Sequence, residues 1–150
     1  MQKRIQINQQ LNKLARSQQQ SEACLFLRAL PQKGQLNAAQ PMWIWPKLTL
    51  LACCQSEKKG LRNGVMYTVQ SWSDEHVIVS PTSVGGEITL TILQVKMWLR
   101  LSYAQTYASC QGSEFNGSLR LHCTDSPRFT RKHLFVGLSR AQKASLVSVV

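Results

Sequence analysis

Acidic side chains are scarce in this chain. Seven Asp and Glu stand against 18 Lys and Arg, leaving a formal net charge of +11 over 150 residues. An excess of that size suits a polyanionic partner, either nucleic acid or an anionic membrane surface. Long apolar runs are missing too. No segment has the length needed to span a bilayer, and no basic amphipathic helix of the membrane-surface type stands out. Nucleic acid is therefore the favoured partner, membrane is not expected, and a merely solvated basic surface is the plain alternative. Met1-Gln2-Lys3-Arg4 is followed by polar residues instead of the apolar core of a secretory signal.

Paired cysteines are absent as well. Cys24, Cys53, Cys54, Cys110 and Cys123 are odd in number and contain no Cys-x-x-Cys. They read as mostly buried, reduced thiols of an intracellular compartment such as cytoplasm, nucleus or mitochondrion, not of a secreted protein. His122 and Cys123 are adjacent, so on a strand they would face opposite ways and could not easily chelate one metal; no metal site is expected. There is no Gly-x-x-x-x-Gly-Lys-Ser/Thr loop to cradle phosphates. Asp74-Glu75 follows Gln70-Ser71-Trp72-Ser73 where a magnesium-holding motif needs an apolar strand, so it reads as a hairpin turn. Spacing alone identifies no Ser-His-Asp or Cys-His constellation.

What is present suffices for one ordinary domain: 43% of residues are hydrophobic, which argues against disorder. From Lys3 to about Gln20 the spacing of Ile5, Leu11, Leu14 and Ala15 predicts a helix with a thin buried apolar stripe, a Gln-rich tail being the alternative. Residues 30–47, punctuated by Pro31, Gly34, Pro41 and Pro46, read as a loop or linker with exposed aromatics; Trp43 and Trp45 could stack on unpaired bases, but covering a core edge is the favoured reading. Leu48 to Cys54 forms a short apolar run. Val65–Val69 and His76–Val79 read as a hairpin, and Ile88, Leu90 and Ile92 as a half-buried alternating strand. Together these suggest a small barrel or meander over residues 47–96. Beyond Trp98, residues 99–110 are expected to form a strand end and then a helix, and Ser118–Cys123 a strand. A helix is expected from the Ser126-Pro127 start to about Arg140, then a buried parallel strand over 144–150. Strand and helix alternation points to an α/β layer interrupted by a β unit.

Two stretches carry the chemistry. Ala104-Gln105-Thr106-Tyr107-Ala108-Ser109-Cys110-Gln111-Gly112-Ser113-Glu114-Phe115 ends in a polar turn, and Gly112 permits a sharp one. Arg131-Lys132-His133-Leu134-Phe135-Val136-Gly137-Leu138-Ser139-Arg140-Ala141 ends a mostly apolar run on an Arg. An Arg there can neutralise charge on a transferring phosphoryl group; a surface Arg favouring a helix C-terminus is the bland reading. The pair resembles the last two motifs of superfamily-one DNA helicases of the RecD and PIF type. Thr106, Gln111, Gly112, Glu114 and Phe115 match the penultimate motif, while Ala108 and Ser109 stand where the family has His and Lys. Phe135 to Ala141 match the final motif throughout. Arg62-Asn63-Gly64 resembles the Asn-Gly segment of the family's inserted barrel, and Lys3 to Asn12 resembles the end of the motif that opens its second domain.

The resemblance implies a RecA-like (P-loop NTPase-type) second helicase domain over residues 1–41 and 99–150. A small Src-homology-3-like β-barrel would be inserted over 42–98. It implies the C-terminal motor half of an ATP-dependent DNA helicase, with Arg140 as the arginine finger on the nucleotide γ-phosphate. Gln111, Gly112 and Glu114 would link nucleotide state to the DNA track, and Thr106, Ser109, Arg131 and Lys132 would lie along single-stranded DNA. ATP and Mg2+ would be held mainly by a first RecA-like domain outside this sequence, so this segment alone is not expected to hydrolyse ATP. The other readings are a stand-alone nucleic-acid-binding module or degenerate helicase relic without catalysis, and a β-rich interaction domain.

Overall fold

The structure, a computed structural model, describes residues 2–19, 23–30, 40–110 and 114–150. It forms two compact units, one reaching to Ala104 and the other running from Gln105 to Val150.

The first unit is built on a five-stranded antiparallel sheet. Its strands are β3 (Thr49–Ala52), β4 (Met66–Trp72), β5 (His76–Pro81), β6 (Ile88–Thr91) and β7 (Leu99–Leu101), ordered β6-β5-β4-β3-β7. Alternation explains the packing. Tyr67 and Val69 of β4, Val77 and Val79 of β5, and Leu99 and Leu101 of β7 turn into one core with Leu50 and Leu90. A register shift between Val69 and Ser71 bulges β4, which adds local twist. The hairpin turn over Asp74-Glu75 falls where the sequence places it, and Ser73 N–H donates to the His76 carbonyl at 2.8 Å.

Three sequence expectations fail in this unit, each for a local reason. Ile92 does not continue β6. Thr91 and Gln94 form a capping box, with Thr91 Oγ1 accepting from Gln94 N–H at 3.2 Å and Gln94 Oε1 accepting from Thr91 N–H at 2.9 Å. That box starts α2 (Ile92–Trp98). Residues 42–44 are not loop: β2 (Met42–Ile44) pairs antiparallel with β1 (Leu25–Leu27), although Trp45 is buried at the core edge as expected.

The third failure concerns α1 (Gln2–Gln18), a helix as the spacing predicts, whose fully buried line is polar, although Ala15 of the expected stripe does pack against the core. Leu11 and Leu14 are exposed, whereas Asn8 is 0% and Asn12 2% exposed. Asn8 Nδ2 donates to the Ala104 carbonyl at 3.0 Å, and Ala104 N–H donates to Asn8 Oδ1 at 2.7 Å. Asn12 treats Trp43 the same way, at 3.0 and 2.8 Å. Each carboxamide thus satisfies one peptide donor and one peptide acceptor that would otherwise be buried unpaired.

The second unit is smaller in its core. β8 (Leu119–Leu121) pairs parallel with β9 (Val147–Val149), and α3 (Arg131–Leu138) lies between them in sequence. The parallel strand expected at the end of the chain is present, but Val149 and Val150 are exposed. Residues 102–110 form turns and no helix, because Thr106 and Ser109 capture the local backbone with their side chains. α3 begins later than Ser126-Pro127. Its cap is Thr130, whose Oγ1 accepts from His133 N–H at 3.4 Å while Thr130 N–H donates to His133 Nδ1 at 3.1 Å. The imidazole does the work of the usual capping Glu. Cysteine burial is lower than expected: Cys110 is buried, Cys24, Cys53 and Cys54 are half-buried, and Cys123 is exposed in the left-handed region at φ 61°, past the end of β8.

Candidate nucleotide and nucleic-acid site

Arg140 follows the Ser139 C-cap of α3. Arg140 is half-buried as a residue, and at the exposed surface its Nε and Nη2 donate to Ser139 Oγ at 3.3 and 3.0 Å. Its carbonyl accepts from Phe115 N–H at 2.8 Å, and Phe115 forms a parallel bridge with Ala141. The two stretches singled out in the sequence therefore meet backbone to backbone, with Glu114 and Arg140 on neighbouring lines of chain. Glu114 itself is exposed. The Cys110 thiol also senses Arg140. Burial pushes that thiol up, and the guanidinium pulls in the opposite direction. Gln111 and Gly112 lie outside the described residues.

Thr106 and Ser109 are placed together, but they serve each other. Thr106 N–H donates to Ser109 Oγ at 3.0 Å, Ser109 Oγ donates to the Thr106 carbonyl at 3.0 Å, and the two hydroxyls lie 2.9 Å apart. Ser109, at the position where the resembling motif carries Lys, closes a turn. Arg131 and Lys132 are exposed on the first turn of α3, which has no acidic residue. Cations at that positive helix end are locally unfavourable, by about 0.3–1 kcal/mol each, and an anion laid across them offsets the cost.

Two supporting residues were not anticipated in the sequence. Tyr107 packs edge-on to Phe129 with centroids 5.5 Å apart, stacks obliquely on His133, and donates its hydroxyl to the His122 carbonyl at 3.2 Å. Gly137 is buried where a Cβ would meet Leu121 Cδ2 at 2.7 Å and Tyr107 Cε1 at 3.1 Å. It lets α3 approach β8 closely and so fixes where the helix delivers Arg140. The only hint in the sequence was a Gly inside a helical pattern. Among the described residues, no group of three or more His, Cys, Asp or Glu is arranged to hold a metal, and no helix is long and apolar enough to cross a membrane.

No protein-family model and no curated protein matches the sequence. Solved structures do. The chain is similar to a Pif1 helicase from a study of DNA unwinding at forked double-stranded DNA by two coordinating Pif1 helicases. The TM-score is 0.65 at 16% identity, covering 93% of this chain and 36% of that one. Bacteroides Pif1 bound to single-stranded DNA aligns with a TM-score of 0.61 at 14% identity, over 93% of this chain and 38% of that one. Candida albicans Pif1 helicase aligns at 0.58 and 12% identity, over 98% of this chain and 43% of that one. The chain has a mixed α/β fold like that of part of these helicases, and it spans well under half of their length.

Proposed function

We propose that this chain is the C-terminal motor half of a Pif1-like, ATP-dependent DNA helicase. In this reading residues 1–41 and 99–150 are its second RecA-like domain, and residues 42–98 are an inserted Src-homology-3-like barrel. The observation that carries the reading is the bridge between Phe115 and Ala141, with Phe115 N–H on the Arg140 carbonyl at 2.8 Å. It draws together the two motif-like stretches inside a fold similar to Pif1 helicases. Relatives of that fold include Bacteroides Pif1 solved with ADP-AlF4 and with ADP-AlF3 and single-stranded DNA, which supports ATP as nucleotide and a single strand as track.

Arg140 is the residue of this chain that would reach the γ-phosphate, and a first RecA-like domain would hold Mg2+ and the rest of the nucleotide. ATP supplies the free energy of lobe closure and release. Arg140 stabilises charge on the transferred phosphoryl group, and Ser139 Oγ steadies its guanidinium. Gln111, Gly112 and Glu114 would carry nucleotide state towards the strand. Thr106, Ser109, Arg131 and Lys132 would lie along its backbone, the two cations at the α3 N-terminus being the better placed. The cysteines, none of them in a disulfide, suit a reducing, intracellular setting.

Supplying the first RecA-like domain of a Pif1-type helicase and comparing this chain with Arg140→Ala tests the proposal. The variant is expected to lose nearly all stimulated ATPase activity, and equal rates would refute it. The Ser109 turn and the charge of +11 favour a second reading, a nucleic-acid-binding module without catalysis. That reading predicts salt-sensitive binding of a single-stranded oligonucleotide and no ATPase stimulation by any first domain.

A further inference from the structure

Arg4, Asn8 and Asn12 follow one another at four-residue steps along α1, so they share one face. The two asparagines are fully used, each clamping a peptide group of Ala104 or Trp43. Arg4 is not. Its Nε and Nη1 are shielded from water and have no hydrogen-bond partner. A guanidinium stays charged in a protein; Arg4 is half-buried as a whole, and shielded donors of a charged group are unfavourable without a partner.

Among the described residues, no carboxylate neutralises it. Arg100, on the edge strand β7 against which α1 packs, acts on it with a charge of the same sign; burial first and Arg100 second hold the Arg4 guanidinium below its ordinary value. Cys53 also faces this pair, but burial pushes its thiol up, and Sγ donates to the Trp98 carbonyl at 3.0 Å, so it stays a neutral donor. Among the described residues, no Asp or Glu pairs with either arginine.

We infer that Arg4 and Arg100 together bind a phosphate group. A phosphate offers enough acceptor oxygens to take forked donors from two guanidiniums at once, which a carboxylate with two oxygens does less well. That the phosphate comes from the backbone of a single strand rests on the helicase reading; the anion site itself does not.

The whole chain tests this. Inorganic phosphate, added at constant ionic strength with chloride as the replaced anion, is expected to raise the melting temperature progressively. Arg4→Met is expected to abolish that rise. Without phosphate the same variant is expected to melt no lower than wild type, since it removes an uncompensated charge. A lower melting temperature without phosphate, or an unchanged phosphate response, would overturn the site.

A labelled single-stranded oligonucleotide distinguishes the sources. Arg4→Met and Arg100→Met should each reduce the slope of log affinity against log salt by about 0.7. The double variant should lose no more than either alone, because both hold one phosphate. A loss of about 1.4 in the double variant would contradict a shared clamp. If oligonucleotide binding is present and its slope is unmoved by Arg4→Met, a strand phosphate at this site is refuted while the helicase reading stands. Should the wild type bind no oligonucleotide yet keep a phosphate response that Arg4→Met removes, the nucleic-acid reading fails and the site stands for a free or nucleotide phosphate, which ADP in place of inorganic phosphate would then separate.

Discussion

The two units differ in how they are held. The apolar core cluster lies wholly in the first, between Leu27 and Leu101, where alternating strands bury Tyr67, Val69, Val77 and Val79. In residues 105–150 the buried apolar side chains among those described are Cys110 and Leu121, while Phe135 is 72% exposed. Yet the second unit carries Arg140 and its bridge to Phe115. Its geometry rests on a few specific contacts: the Thr130–His133 cap, the Tyr107 cluster and the close approach at Gly137. A region built that way has little to hold it closed, and it opens more readily than a sheet with a full core.

Hydrogen exchange sharpens this contrast most. The amides of Val69, which donates to the Leu48 carbonyl at 2.9 Å, and of Val79, on β5 between β4 and β6, should be protected by about 3 kcal/mol or more beyond those of Leu119–Leu121, given a range from near zero to the global value. Equal protection would break the comparison. Next comes Asn8→Ala, which strands the Ala104 N–H and carbonyl together. At about 1–3 kcal/mol for each buried group left unpaired, urea denaturation followed by tryptophan fluorescence should show a loss of about 3 kcal/mol. All four tryptophans, at 43, 45, 72 and 98, lie in the first unit, so they report on the part that α1 clamps. A change below about 0.5 kcal/mol, the range of an ordinary surface substitution, would mean that the clamp is not structural.

Smaller is the effect of Gly137→Ala. Helix propensity favours Ala by about 1 kcal/mol, but the new methyl meets both Leu121 and the Tyr107 ring, and overpacking costs about 1–3 kcal/mol. A net loss of about 1 kcal/mol, read as faster exchange at Leu119–Leu121, is expected; a net gain would show that α3 does not depend on close approach. Smallest is Leu14→Gln on the exposed face of α1, expected to stay within about 0.5 kcal/mol in the same urea titration.

Legibility in the sequence follows the same division. Period-two alternation made β4, β5 and most of β6 readable, because side-chain direction in a half-buried strand is written residue by residue. α1 was legible as a helix but not as to its face: Leu11 and Leu14 suggested an apolar stripe, and the buried line proved to be Asn8 and Asn12. Carboxamides that bond to distant backbone leave no periodic signal, since their partners at 43 and 104 are far along the chain. In the second unit, Ser126-Pro127 reads as the helix start, and Thr130 gives no cap signal because a His at the third helical position is not a usual capping partner. The meeting of the two motif-like stretches was not read from the sequence. Spacing alone does not foretell that Phe115 and Ala141 become neighbours, whereas Arg140 stood out as soon as the motif around it did.

The most direct test of the proposed function is ATP hydrolysis reconstituted with a first RecA-like domain of the Pif1 type. Wild-type chain should stimulate hydrolysis, and Arg140→Ala should lower the stimulated rate by about a thousandfold or more, the range of an arginine finger. Asn8 and Gly137 variants that remain folded should fall far less. An Arg140→Ala rate equal to that of the wild type, with both chains folded and both stimulating, would contradict the account.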